Sequence, residues 1–285
     1  MQESSTRQTG LKTGLIVLAA VILAGLALFT MGPDQPPSPD AMEAPPRLAD
    51  DPAFLKRLDE TSVDLANTTR RVLALSPREE QRDVLLQAAL HLFKKEAPRL
   101  SFASTSDFDA LTAHVQSGVQ TLKESGSGWC KGTEIEAYVR LDDTQLVPVL
   151  IETFANDDEA YAWAMQLADL YLDAIVSARA RPVRHGKRTY QDKLILQDHG
   201  RAMGTQNWSM ALSIAAFGQA EGQSYDLMRE AVSAVNVCDL GLAMTDLSSR
   251  LPDDTRGRIL AELLPETFYG NTPYAIAVLT SFFFI

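Results

Sequence analysis

The chain has 285 residues, 46% of them hydrophobic, with 37 acidic side chains against 26 basic ones and a formal charge of −11. Setting aside Arg7, Lys12 and Glu3, which precede the first apolar run, leaves −12 on residues 32–285, a balance that disfavours broad contact with DNA, RNA or an anionic lipid surface. Two cysteines and four histidines in no paired spacing exclude a CxxC redox pair, a Cys/His zinc site and an HExxH helix, so no metal and no other cofactor is expected.

The first element is the uncharged run Gly14–Met31, eighteen residues rich in Leu, Ala, Ile and Val. As a helix it is about 27 Å long, close to the ~30 Å hydrocarbon core of a bilayer. A cleaved signal peptide would show an A-x-A-like site, whereas Thr30-Met31-Gly32 is followed by Pro33, and no cysteine near the run's end offers a lipid anchor. An uncleaved transmembrane anchor over residues 14–31 is the expectation, with cleavage as the alternative. Arg7 and Lys12 before the run outnumber Arg47 after it, which places residues 1–13 in the cytoplasm and the rest outside it, in the periplasm if the cell is bacterial. Ala20 and Ala24 make a small-xxx-small spacing, which an Ala-rich run produces by chance.

Residues 32–48 hold six of the fourteen prolines. Proline lacks the amide donor and fixes φ, so this stretch reads as a semi-rigid spacer reaching up to about 50 Å. A ligand for SH3-like domains is the competing use of such a sequence.

Residues 49–285 read as a helical globular domain, and the fold class is all-α. Ser76-Pro77-Arg78-Glu79 has the form of a capping box, followed by Val84, Leu85, Ala88, Ala89, Leu92 and Phe93 at helical spacing up to Pro98. Ser106 is expected to open a helix burying Phe108, Leu111, Val115, Val119 and Leu122. Thr133-Glu134-Ile135-Glu136 is a second candidate capping box. Asn156 introduces the acidic first turn Asp157-Asp158-Glu159 of a long helix that ends at Arg181-Pro182. Buried helices are expected over 202–217 and over 224–250, the latter with an interruption near Asn236, and a short one over 253–264 ending at Pro265. Val147-Pro148-Val149-Leu150-Ile151 is the one β-rich run, and its proline argues against an interior strand. The uncharged segment Tyr274–Ile285 is too short to span a bilayer, so it either docks into the core or dips into a membrane.

Candidate chemistry is sparse. Cys130 and Cys238, 108 positions apart, are expected to form a disulfide outside the cytoplasm; buried free thiols are the alternative. Gly126-Ser127-Gly128-Trp129-Cys130-Lys131-Gly132-Thr133 fails the phosphate-loop pattern, because Lys131 precedes Gly132, and it fails the Gly-x-Ser-x-Gly nucleophile elbow by its spacing. Of the histidines, His91, His114 and His199 have no partner at functional spacing. His185 lies within the one basic cluster, Arg179, Arg181, Arg184, Lys187 and Arg188. That cluster suits an acidic partner, phosphate or an anionic glycan. Arg179 and Arg181 would also complement the dipole at the end of the long helix. The functional expectation is a membrane-anchored extracytoplasmic domain that binds a partner protein or an envelope component, without catalysis. The alternative is a lysozyme-like glycan hydrolase using a buried glutamate, for which Glu134, Glu136 and Glu152 are the candidates.

Overall fold

A computed structural model describes residues 52–135, 143–206, 233 and 236–269. The apolar run 14–31, the spacer 32–48, Glu136, all of the expected helix over 202–217 beyond residue 206, most of residues 224–235 of the expected helix over 224–250, and the tail 274–285 lie outside these residues. Among the described residues the secondary structure is helical, with one isolated antiparallel bridge between Lys131 and Asn236, so the all-α expectation holds there. No described helix is long and apolar enough to cross a membrane.

In chain order the longer helices are α1 (Pro52–Thr61), α2 (Val63–Leu75), α3 (Gln81–Leu100), α4 (Thr105–Glu124), α5 (Asp143–Ala155), α6 (Asp158–Ala180), α7 (Tyr190–Gln206), α8 (Val237–Arg250) and α9 (Asp253–Tyr269); a single turn of helix over Gly132–Ile135 already includes Thr133, which is therefore not its N-cap. The longest, α6, starts on Asp157, whose carboxylate accepts the amides of Glu159 and Ala160. That side chain, rather than the preceding Asn156, satisfies the free N–H groups of the first turn. Leu167, Ala168, Tyr171, Ala174, Ile175 and Ala178 recur on the buried face of α6, which packs against α1, α3, α4 and α5. Helix α3 joins this centre to α2 and α9.

An aromatic triangle marks the junction of α3, α6 and α9. Phe93, Tyr171 and Phe268 have ring centroids 4.7, 4.9 and 5.3 Å apart, in tilted or edge-on arrangements that suit their quadrupoles. The buried Tyr171 hydroxyl donates to the Phe93 carbonyl at 2.8 Å; burial, then the nearby charge of Glu96, pushes its pKa well above the usual phenol value. At the α5–α6 turn, Arg82 donates to the last carbonyl of α5 at Ala155, pairs with Asp158, and lies over the Tyr161 ring. One guanidinium thereby serves a helix C-terminus, a carboxylate and an aromatic face.

Helix boundaries differ from the sequence expectations at several points. Ser76 does not cap α3: its hydroxyl donates back to Val72 at the end of α2, and a 3₁₀ turn over Arg78–Glu80 precedes α3. The box that opens α4 is Ser104 with Asp107, two residues before Ser106, and both reciprocal hydrogen bonds are made. Pro98 and Pro265 lie inside α3 and α9 rather than ending them, and Pro148, which argues against a strand, lies inside α5. Each removes one backbone donor, but the surrounding helix buries enough apolar surface to persist; α5 buries Ile151, Phe154 and Ala155, and α9 carries Phe268 into the aromatic triangle. Helix α7 begins at Tyr190, well before the expected start at 202.

Cys130 and Cys238 are bonded, with Cα atoms 4.9 Å apart. The bond joins the start of α8, capped by Asn236, to a 3₁₀ turn over Gly128–Cys130. Gly126, at φ +68°, ends α4: the amide of Ser127 reaches the carbonyl of Leu122 and that of Gly126 reaches Lys123. This double closure needs a left-handed residue at that point, which glycine adopts without a Cβ clash. The glycine-rich stretch that resembles a phosphate loop is therefore a helix terminus leading into a disulfide.

Candidate functional site

The basic cluster straddles the end of α6 and a strap, residues 181–189, that crosses from α6 to α7. Pro182 cannot continue the helix and biases the residue before it away from helical geometry, so Arg181 leaves at φ −144°, ψ 73°. The strap then passes over the α3–α4 turn. Val183 N–H donates to the Phe102 carbonyl at 2.9 Å, and His185 Nε2 donates to the Ala103 carbonyl at 2.7 Å. The His185 ring also lies 5.4 Å from the Phe108 ring and rests on Gly257 of α9. A Cβ at Gly257 would come within 2.5 Å of His185 Nδ1, so glycine is what permits α9 to approach the strap this closely. Gly186, at φ +79°, turns the chain towards α7.

The two ends of the cluster are consumed by the fold. Arg179 Nη2 lies 3.0 Å from Glu96 Oε2 and 2.8 Å from the Thr61 carbonyl, while its Nη1 reaches the Glu60 carbonyl. Glu96 is 4% exposed and also accepts Arg99 Nη1 at 2.6 Å, so the pair ties α6 to α3 and to the end of α1. Arg188 makes a two-pronged contact with Glu262 of α9, at 2.5 and 2.8 Å. The next residue, Thr189, caps α7: its N–H donates to Asp192 Oδ2 and its hydroxyl accepts the Asp192 amide. Asp192, 1% exposed, further accepts Thr255 and both prongs of Arg258. The Arg258 guanidinium, foremost among these donors, holds the Asp192 carboxyl far below the usual carboxylate range.

Between these fixed ends the strap presents charge. Arg181, Arg184 and Lys187 are exposed, and their side chains have no ion pair or hydrogen bond among the described residues. Beside them are two apolar side chains in water, Phe102 at 44% and Val183 at 38% exposure, joined through their backbone hydrogen bond. Arg99, whose side chain is half exposed, accepts the Phe102 amide through its own carbonyl. The structure thus divides the five clustered cations: Arg179 and Arg188 are braces, and Arg181, Arg184 and Lys187 are free. Phe102 and Arg99 join them through the tertiary fold. The sequence held one signal for Phe102, a lone aromatic residue in the turn Ser101–Ser104.

The remaining candidates fall elsewhere. Glu134 and Glu152 are exposed, whereas a glycan-cleaving general acid needs a carboxyl kept protonated by burial. Burial first, and then the charge of Glu152, raises the carboxyl of Asp83. Among the described residues the one buried glutamate is Glu96, held by two arginines. His91 is exposed, and His199 Nδ1 contacts the Ile195 carbonyl of its own helix. His114 stacks on Trp163 at 4.7 Å, and each ring nitrogen reaches the other residue's carbonyl; burial lowers the His114 pKa. No group of His, Cys, Asp and Glu suited to a metal ion occurs among the described residues. Comparison of the chain with protein-family models, with curated proteins and with solved structures finds no match.

Proposed function

We propose that this chain is a membrane-anchored binding protein: a helical domain held outside the cytoplasm by residues 14–31 and the proline-rich spacer, which recruits a partner protein or envelope component through the strap between α6 and α7. The observation that carries the reading is that Arg181, Arg184 and Lys187 stay exposed on an acidic chain with no ion pair among the described residues, while their neighbours Arg179 and Arg188 are both engaged. An exposed cation with no ion pair adds little to stability, and surface clusters of one sign steer and select partners of the other. The exposed Phe102 and Val183 supply the apolar contact that charge alone lacks.

The test is cross-linking of the full-length protein in its native membranes, followed by affinity recovery and mass spectrometry. The triple variant Arg181→Glu, Arg184→Glu, Lys187→Glu runs beside the wild type. A stoichiometric partner recovered with the wild type and lost from the variant supports the strap as its surface. Equal recovery from both removes the strap from the function.

A further inference from the structure

Resting on the strap as the binding face, we infer that its ligand is an acidic polypeptide segment carrying an apolar side chain among its carboxylates. Two observations narrow the chemistry to this class beyond the charge of Arg181, Arg184 and Lys187. The cations share their surface with Phe102 and Val183, which a sulfated or phosphorylated chain would leave facing water. Finally, the patch is small and sits on a chain whose remainder is strongly acidic, so a long uniform polyanion would be repelled beyond the strap, whereas a short segment engages it alone.

The fold holds this surface ready. Backbone hydrogen bonding at Val183, the His185 contact with Ala103 and the Arg188 pair with Glu262 fix the strap's path, so binding orders three long side chains rather than a loop.

Fluorescence anisotropy of labelled probes with the full-length protein in detergent micelles tests the inference. The first probe is a peptide with glutamate at every third position and leucine between; the second replaces each leucine by serine; the third is a heparin oligosaccharide. The leucine probe is expected to bind at least about fivefold more tightly than the serine probe. Phe102→Ser with Val183→Ser is expected to remove that difference, and Val183→Ser alone to reduce it. Charge reversal at Arg181, Arg184 and Lys187 should weaken the leucine probe by tenfold or more. Equal binding of both peptides, or tighter binding of heparin, overturns the peptide assignment and leaves the strap as a plain anion surface. Failure of every probe while the cross-linked partner still depends on the strap charges also overturns it, but spares the binding function. Only a cross-linked partner indifferent to those charges sinks both.

Discussion

Replacing Arg179 by alanine separates the brace from the binding surface. The guanidinium supplies hydrogen bonds to Glu96, Thr61 and Glu60, and Glu96 is 4% exposed. Removing one partner of a buried ion pair costs about 3–5 kcal/mol when the other charge is left alone. Here Arg99 keeps a 2.6 Å contact with the same Oε2 oxygen, so part of the charge remains compensated. The expected loss is therefore about 2–3 kcal/mol, after discounting for the one-third exposure of Arg179 itself. For a chain of this size that lowers the melting temperature by roughly 4–12 °C. Urea unfolding followed by circular dichroism gives the free energy directly. Arg181→Ala, Arg184→Ala and Lys187→Ala, measured the same way, should each stay within about 0.5 kcal/mol of wild type. The double variant Glu96→Gln, Arg179→Met should cost less than the two single changes added together, because neither charge is then stranded. A loss from Arg184→Ala equal to that from Arg179→Ala, or no loss from the latter, would refute the division of the cluster into braces and free cations.

Other perturbations test the frame around the strap. Cys130→Ser with Cys238→Ser reopens a bond between positions 108 apart, which the chain-entropy treatment values at about 4–5 kcal/mol; urea midpoints of the variant and of reduced wild type should coincide, both well below oxidised wild type. Because Asp192 has a lowered pKa in the fold, its contribution is complete above its ordinary value near 4 and is lost as pH falls through the lowered one. The stability difference between wild type and Asp192→Asn should thus be flat from pH 7 to about 4 and shrink below it; a gap that widens on acidification contradicts the pairing with Arg258. Gly257→Ala brings a Cβ into His185 and should break its bond to Ala103. The displaced His185 ring and the stranded Ala103 carbonyl cost about 1–3 kcal/mol against about 1 kcal/mol gained in helix propensity, so stability should fall by up to about 2 kcal/mol while affinity for an acidic-apolar peptide drops.

The parts of the fold that were legible in the sequence are those where apolar periodicity coincides with burial. Helix α6 is the clearest: its small and aromatic residues recur at helical spacing, and they are the ones that pack. The disulfide was legible only through the expectation of an oxidising compartment, since two cysteines 108 positions apart fit buried free thiols as well. Helix α7 was not, because its buried positions include Asp192 and Gln197 beside Leu196, so the helical period is written partly in polar residues. What stabilises Asp192 there is Arg258, 66 positions away, which no local pattern reveals. Caps failed for a related reason. Ser76 and Glu79 have the right spacing, but Pro77 leads into a 3₁₀ turn, while the two boxes that form, Ser104 with Asp107 and Thr189 with Asp192, use the shorter aspartate. The basic cluster was visible as composition, yet its division between bracing and free cations depended on Glu96 and Glu262 from other helices.

On the proposed function, that division predicts an unusual dependence of binding on salt. An acidic ligand approaching the strap meets attraction from Arg181, Arg184 and Lys187 at contact, and repulsion from a chain that carries −12 over residues 32–285. The two act over different distances. At about 10 mM salt the screening length is roughly 30 Å and the repulsion reaches the ligand in full. Near 0.1 M it falls to about 10 Å, which removes much of the distant repulsion but leaves pairs in contact. Near 1 M it is about 3 Å, and the contacts weaken as well. Affinity for the acidic peptide should therefore rise from 10 mM to about 0.1 M and fall beyond it. The Arg181→Glu, Arg184→Glu, Lys187→Glu variant, repulsive at both ranges, should gain affinity steadily with salt, driven by the apolar pair alone. A wild-type affinity that falls monotonically from the lowest salt would mean that the strap's field dominates at every distance, and that the acidic remainder of the chain has no part in selecting the ligand.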